Sequence, residues 1–230
     1  MQKVVIRHYR RDDRPFVRNI AWNTAFLGDS AGVFFDNKEI LSDFLTLYFT
    51  DYEPESSFVA EIDGRVIGYL IGARNIDVLN RIFFVRILPR LVTKAVVRGV
   101  FFSKKNILFM TNALRSFLKG EFRVPYFLKY YPALLHINIE KKFRALGIGA
   151  LLIEAYLNYL NKAGIEGLHL ATVSDVAVGF FKKQGFNLLY KHKRSLLGNI
   201  LGKEYFCYLY GKKILTQSKP EEASCNDKET

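Results

Sequence analysis

The sequence predicts an α/β fold, and three observations carry that expectation. Apolar runs of strand length alternate with stretches whose apolar residues recur at helical spacing. Asp63-Gly64 separates two such runs, Ser57 to Ile62 and Val66 to Ile71, which is among the strongest short signals for a β-hairpin. A third run, Leu134 to Ile139, leads through a glycine loop into a helical pattern that begins at Gly149.

Each element follows in order. Val4-Val5-Ile6 opens a strand, and Pro15 suits the first turn of a helix running toward Phe26. Asp36 or Asn37 is placed to cap a second helix, with Ile40, Leu41, Phe44, Leu45 and Tyr48 at helical spacing. After the hairpin, Pro89 separates two short helical patterns. A third pattern spans Ser103 to Lys119, with Ile107, Met110, Leu114 and Phe117 on one face and Gly120 as its stop. Beyond Pro125, Pro132 and the strand at Leu134 come a helix from Gly149 to Lys162 stopped by Gly164, a strand from Leu168 to Val173, and a short helix from Val176 to Lys183 ended by Gly185. Asn187 to Lys193 and Tyr205 to Tyr210 read as a closing antiparallel pair. Residues 1–215 are expected to form one domain that contains an insertion at 75–130, and residues 216–230 a polar, disordered tail.

At 230 residues, with 50% hydrophobic and 24% charged side chains, the chain can bury a substantial core, which excludes wholesale disorder and collagen-like architecture. Cys207 and Cys225 cannot build a disulfide framework, so a reducing, cytoplasmic setting is expected. The first residues lack the apolar stretch of a signal peptide, and no uncharged run approaches the ~20 residues that cross a bilayer. The net charge of +12 is concentrated: residues 75–130 hold eleven Lys or Arg against only Asp77 and Glu121. An anionic partner is to be sought there. No recognition motif accompanies the charge, which argues against nucleic acid.

The chemistry points to Leu134-Leu-His136-Ile-Asn138-Ile-Glu140-Lys-Lys-Phe-Arg144-Ala-Leu-Gly147-Ile-Gly149-Ala150. A strand that turns tightly into a helix aims backbone N–H groups and a helix N-terminus at one spot. Gly147 and Gly149 remove side chains that would keep a pyrophosphate off the backbone, and Arg144 adds a possible charged clamp. No Gly-Lys-Ser/Thr follows, so this is not a P-loop, and it lacks the third glycine of a dinucleotide fingerprint. On local physics alone, a phosphate site and a glycine turn required by sterics stay equally open.

Arg144-x-x-Gly147-x-Gly149 between this strand and helix resembles the acetyl-CoA loop of the GCN5-related N-acetyltransferases, the GNAT family. The order of elements over residues 1–74 and 131–211 agrees with it. Ala177-x-x-x-Phe181-x-x-x-Gly185-Phe186 is similar to the family's Ala-x-x-x-Tyr-x-x-x-Gly-Phe signature. Tyr131-Pro-Ala-Leu-Leu-His-Ile-Asn138-Ile further resembles a stretch of the acetyltransferase-like domain attached to some O-GlcNAc hydrolases and of its bacterial relatives, which also carry an insertion before this strand.

The resemblance implies a mixed, mostly antiparallel sheet flanked by helices, with the helical insertion placed before the motif strand. It implies acetyl-CoA as cosubstrate, with no metal, and a direct attack of an amine on the thioester. Backbone groups of Asn138, Ile139 and Glu140 would pair with the pantetheine amides. Those of Arg144, Ala145, Leu146, Gly147, Ile148 and Gly149, with Ala150 behind them, would bind the pyrophosphate. Ser174 and Phe181 match the positions of the family's CoA-contacting asparagine and of the tyrosine that protonates the thiolate. A phenyl ring donates no proton, so the general acid is missing there, a loss worth about 10²-fold or more.

Strand alternation puts His136, Asn138 and Glu140 on one face, which makes His136 and Glu140 the candidate bases; a satisfied histidine and a solvated strand end are the plain alternatives. Tyr126, Tyr130 and Tyr131 either pack between insertion and core or line an acceptor pocket, while Trp22 and Phe26 read as core. Arg90, Lys94 and Arg98 recur every four residues on the insertion. That leaves three readings for it: a lid facing an acidic substrate, an element lying on an anionic membrane, or a packed subdomain with a solvated basic face. The expected activity is acetyl transfer to a primary amine of a small molecule or peptide. The alternatives are a weak or inactive CoA-binding module and a membrane-surface enzyme using a longer acyl-CoA.

Overall fold

Asp63 and Gly64 both adopt positive φ, at 48° and 78°, the geometry of a two-residue turn whose twist matches the strands it joins. Those strands are β2 (Ser57–Ile62) and β3 (Arg65–Ala73). The computed structural model describes residues 3–122, 126–198, 202 and 205–214. In it, β1 (Val4–His8) lies antiparallel on the outer side of β2, and β4 (Ala133–Ile139) lies antiparallel on β3. The sheet continues through β5 (Gly167–Thr172), followed in chain order by β6 (Asn187–Arg194) and β7 (Tyr205–Lys213). Its order is β1-β2-β3-β4-β5-β7-β6, and every neighbouring pair is antiparallel except β4 and β5. The tail at 216–230, with Cys225, lies outside the described residues, as do Arg123 and Pro125.

The helices cover both faces. Helix α1 (Arg14–Thr24) has Pro15 in its first turn, and α2 (Lys38–Asp51) is capped by Asn37, whose Oδ1 accepts from the Ile40 N–H at 3.1 Å. Val17, Ile20, Leu41 and Leu47 of this pair bury the sheet face that carries Val59, Tyr69 and Ile71. Within the insertion, α3 (Ile76–Ile82) runs through a π-helical turn at Phe83–Ile87 directly into α4 (Leu88–Val97). Pro89 therefore lies within one continuous helical run instead of separating two. It lacks an N–H and crowds the carbonyl four residues back, and the wider turn before it accommodates that carbonyl.

Helix α5 (Lys104–Leu118) is capped by Ser103 and departs from expectation. Ile107, Leu114 and Phe117 face outward, while Asn106, Asn112 and Ser116 are buried. Beneath α5, Phe109 packs on the rings of Phe34 and Phe35, and the remaining contacts are polar. Asn106 accepts from the Asp36 N–H at 2.8 Å and donates to the Val100 carbonyl at 3.1 Å. Burying those backbone groups requires hydrogen-bonding side chains, so the polar stripe turns inward.

On the other face of the sheet lie α6 (Ile148–Lys162) and α7 (Asp175–Lys183). Leu152, Ile153 and Phe181 pack there against Ile67, Leu70 and Leu135. Tyr156 of α6 directs its hydroxyl to the carbonyls of Leu134 at 2.9 Å and Ala73 at 3.2 Å, so one side chain ties both central strands to the helix. Gly72 makes room for it, since a Cβ there would overlap the Tyr156 ring and hydroxyl. Tyr156→Phe leaves buried carbonyls short of a donor and is expected to cost about 1–3 kcal/mol in urea unfolding. A change within error of zero would mean that the hydroxyl clamps nothing.

Candidate active site

The site begins where two parallel strands part. The β4–β5 ladder holds only Ala133 with Leu168 and Leu134 with His169, after which the strands diverge. The β3–β4 register runs on without a shift, and Glu140 donates its N–H to Ile67 of β3 at 2.9 Å. Backbone groups alternate sides along a strand, so Ile137 and Ile139 turn theirs into the opening. The Ile139 carbonyl indeed points away from β3 and accepts from Arg144 Nε at 3.1 Å. Within the expected stretch 138–140, the groove-facing backbone therefore belongs to Ile139, joined by Ile137, while Asn138 and Glu140 are spent on β3.

Past Glu140, a turn of 3-10 helix at Lys141–Phe143 leads to Arg144, Ala145 at φ 63° and Gly147 at φ 77°. Gly147 precedes α6, and a Cβ there would meet nothing within 4 Å. The space over Gly147 is thus open, beside the N–H groups of the first turn that no helical carbonyl can reach. The 15-residue α6 adds the positive end of its dipole. Gly149 serves a different end from the one expected, since its missing side chain lets Phe180 pack on the helix, and a Cβ would stand 2.9 Å from Phe180 Cζ. Ile148 is buried under the loop, Ala150 is half-buried, and Leu146 is exposed.

Arg144 is engaged within the chain. Its guanidinium spans from the Ile139 carbonyl to the Gly28 carbonyl, which it reaches with a nitrogen at 3.0 Å. Lys141 makes a second link to the same turn through Asp29 at 3.2 Å. Both cations therefore fasten the loop to the turn after α1.

The face of β4 toward α1 and α2 carries the polar cluster. Asn138 Nδ2 donates to the Tyr69 hydroxyl at 2.9 Å and lies 3.3 Å from His136 Nε2. Tyr69 sits opposite Asn138 on β3 and is fully buried, and burial pushes its hydroxyl well above the ordinary tyrosine range. His136 is half-buried at the groove, with enough carbon around it that burial brings its pKa down to about 4, so it is neutral at pH 7. Tyr69 was missed by sequence reasoning. Only the β3–β4 register, which sequence does not fix, places it against Asn138.

The remaining candidates divide. Glu140 pairs with Arg65, one nitrogen of which stands 2.8 Å from each carboxylate oxygen, at the hairpin end of the sheet; this favours the solvated-strand-end alternative over a base. Ser174 caps α7, its hydroxyl accepting from the Ala177 N–H at 3.4 Å. Phe181 is buried edge-on between Phe180 and Phe186. Tyr126 and Tyr130 are exposed around the Lys129 ammonium, and Tyr131 packs beside Gly167 and Gly211. All three tyrosines stand at the closed end of the β4–β5 pair, so they line no acceptor pocket in the groove. Trp22 and Phe26 pack against the core as expected.

Comparison with known proteins agrees with this geometry. Residues 119–186 match the sequence profile of the Acetyltransferase (GNAT) family. No curated protein sequence matches the chain. Among solved structures, the protein called SsHAT superposes with a TM-score of 0.68 at 21% identity, over 92% of this chain and 98% of that one. The polyamine N-acetyltransferase of Drosophila melanogaster, which forms N-acetylagmatine, gives 0.60 at 12% identity over 92% and 100%. YncA of Salmonella typhimurium, a putative acetyltransferase solved with acetyl-CoA, gives 0.56 at 13% over 95% and 98%. The shared architecture is the GNAT fold. The narrower likeness to the domain of O-GlcNAc hydrolases, drawn from residues 131–139 and the insertion before them, is not shown by these comparisons.

The state of His136 is testable. The unfolded chain binds a proton at His136 near the ordinary pKa of 6.5, whereas the folded chain does so only near 4. This contribution to stability is therefore complete above about pH 6.5 and is lost as pH falls toward 4. His169, shifted down by burial as well, adds to the same trend. His136→Gln should flatten the rise of unfolding free energy between pH 4.5 and 7, measured with urea. An unchanged slope would show that the histidine is not buried as a neutral ring.

Proposed function

From a chain that carries the GNAT fold and the family's sequence signature, we propose an acetyl-CoA-dependent N-acetyltransferase acting on a primary amine. The opening between β4 and β5, with an amide-lined cradle at the head of α6, supports this reading most. Its backbone donors and acceptors suit a pyrophosphate joined to an amide-bearing arm. Acetyl-CoA supplies an activated acyl carbon and a thiolate that leaves with little help.

The chain's residues then divide the work. N–H groups from Ala145 to Gly149 hold the pyrophosphate, and Ile137 and Ile139 pair with the arm, which fixes the thioester near the point of divergence. His136 is the first residue past that point to face α1 and α2, so an amine arriving from that side meets its ring. As nitrogen attacks the carbonyl carbon and the C–S bond breaks, the ammonium proton passes to His136 or through water to bulk. A pKa of about 4 makes His136 a weak base, better suited to orienting the amine than to holding its proton. Asn138 Nδ2 lies 3.3 Å from His136 Nε2, so that nitrogen takes a proton only by giving up this contact, and the Tyr69 hydroxyl, which accepts from Asn138, keeps its own proton free to donate. Phe181 in the family's tyrosine position, sealed between two rings, favours slow turnover; a CoA-binding module without activity is the second reading.

Calorimetric titration with acetyl-CoA is expected to give saturable binding to the native chain. Gly147→Trp should lower affinity more than tenfold by filling the cradle, and Arg144→Ala should lower it less, because that guanidinium is engaged with Gly28. His136→Ala should cut kcat toward an amine panel about 10-fold to 100-fold with acetyl-CoA affinity retained. Acetyl-CoA binding without turnover on any amine would select the module, and no binding would remove both readings.

A further inference from the structure

Helix α5 is built inside out. Along it, Lys104, Ile107, Leu108, Thr111, Leu114, Arg115 and Leu118 are all exposed and recur at steps of one, three and four, which is one face. Ile107, Leu108, Leu114 and Leu118 are 42%, 45%, 59% and 75% exposed, beyond anything a solvated helix needs. Val97 at the end of α4 is 80% exposed, and Phe102 in the turn before α5 is 90% exposed. Outward residues of α3 and α4 repeat the pattern, with Val78, Val85, Val92 and Val96 at helical spacing around Arg81.

The charges on the insertion fall into two sets. Lys94, Arg98 and Lys105 are bound to Asp43, Glu39 and Asp36 and hold the insertion to the domain. Arg81, Arg86, Arg90, Lys104, Arg115 and Lys119 are exposed, and none forms an ion pair among the described residues. Exposed apolar side chains interspersed with unpaired cations on one face are what an element lying in a lipid interface presents.

We propose that the insertion docks the protein on an anionic lipid bilayer, with the α5 face and the turn at Phe102 entering the headgroup boundary and the unpaired cations meeting lipid phosphates. Charge decides between this occupant and a second copy of the chain. A symmetric pairing would bring the basic face of Lys104, Arg115 and Lys119 against the same basic face of the copy, whereas a phosphate surface neutralises it. No helix among the described residues is long and apolar enough to cross the bilayer, so the contact is with its surface. The proposal is independent of acetyl-CoA binding.

The test is sedimentation of the full chain with phosphatidylglycerol-containing and pure phosphatidylcholine vesicles at rising salt. Binding to the anionic vesicles alone, weakened by salt, is expected. Replacing Lys104, Arg115 and Lys119 together by Gln should weaken it about a hundredfold, at about fivefold per charge. Phe102→Ser with Leu118→Ser should weaken it as well, and a retained thermal midpoint would show that each variant folds. Both changes lie on the exposed face, so acetyl-CoA titration should be unaltered. No binding to anionic vesicles, binding untouched by these substitutions, or a concentration-dependent dimer that forms in place of vesicle binding would overturn the proposal.

Discussion

Everything at the site depends on two parallel strands that stop hydrogen bonding after two residue pairs. A buried backbone amide without a partner is costly, and strands usually continue their ladder for that reason. Here β4 is held on one side by β3 through its whole length, and β5 is held by β7, so neither can swing across to close the gap. Tyr156 fixes the point of divergence by binding the carbonyls of Leu134 and Ala73 from below. The result is a slot whose walls are peptide groups, suited to a ligand that carries peptide-like groups of its own.

Much of this was legible in the sequence where the cause is local. The hairpin at Asp63-Gly64, the cap at Asn37, the stops at Gly120, Gly164 and Gly185, and the loop before α6 each follow from backbone sterics within a few residues. Periodicity also picked out apolar residues on α5, of which Ile107, Leu114 and Phe117 lie outward and Met110 is half-buried. It could not tell which way they face, because that depends on distant partners, the Asp36 and Val100 backbone groups that Asn106 satisfies and the Phe34 and Phe35 rings that Phe109 meets. Arg144 has a partner that was illegible for a similar reason. A cation beside a phosphate loop suggests a clamp, but the carbonyl that claims it, at Gly28, is 116 residues away in the chain. The basic run at Arg90, Lys94 and Arg98 likewise mixed residues that stitch the insertion to α2 with one that does not.

The polar cluster shows an economy set by burial. His136, Asn138 and Tyr69 share hydrogen bonds without a single formal charge at neutral pH, since burial lowers the histidine and raises the tyrosine. Such a cluster orients more readily than it ionises. Reactions that need strong acid or base assistance would run poorly over it, whereas aminolysis of a thioester, in which an uncharged nucleophile meets a good leaving group, asks for little beyond placement.

The two tethers from the loop to the turn after α1, Arg144 on Gly28 and Lys141 on Asp29, have a thermodynamic corollary. They join the wall that receives the donor to the edge facing α1 and α2, where the acceptor would enter. A ligand that steadies the loop steadies that turn too, and coupling of this kind is reciprocal: whatever factor one ligand adds to the affinity of the other is returned unchanged. Much of that coupling would then rest on a single guanidinium, holding two carbonyls that no stretch of sequence brings together.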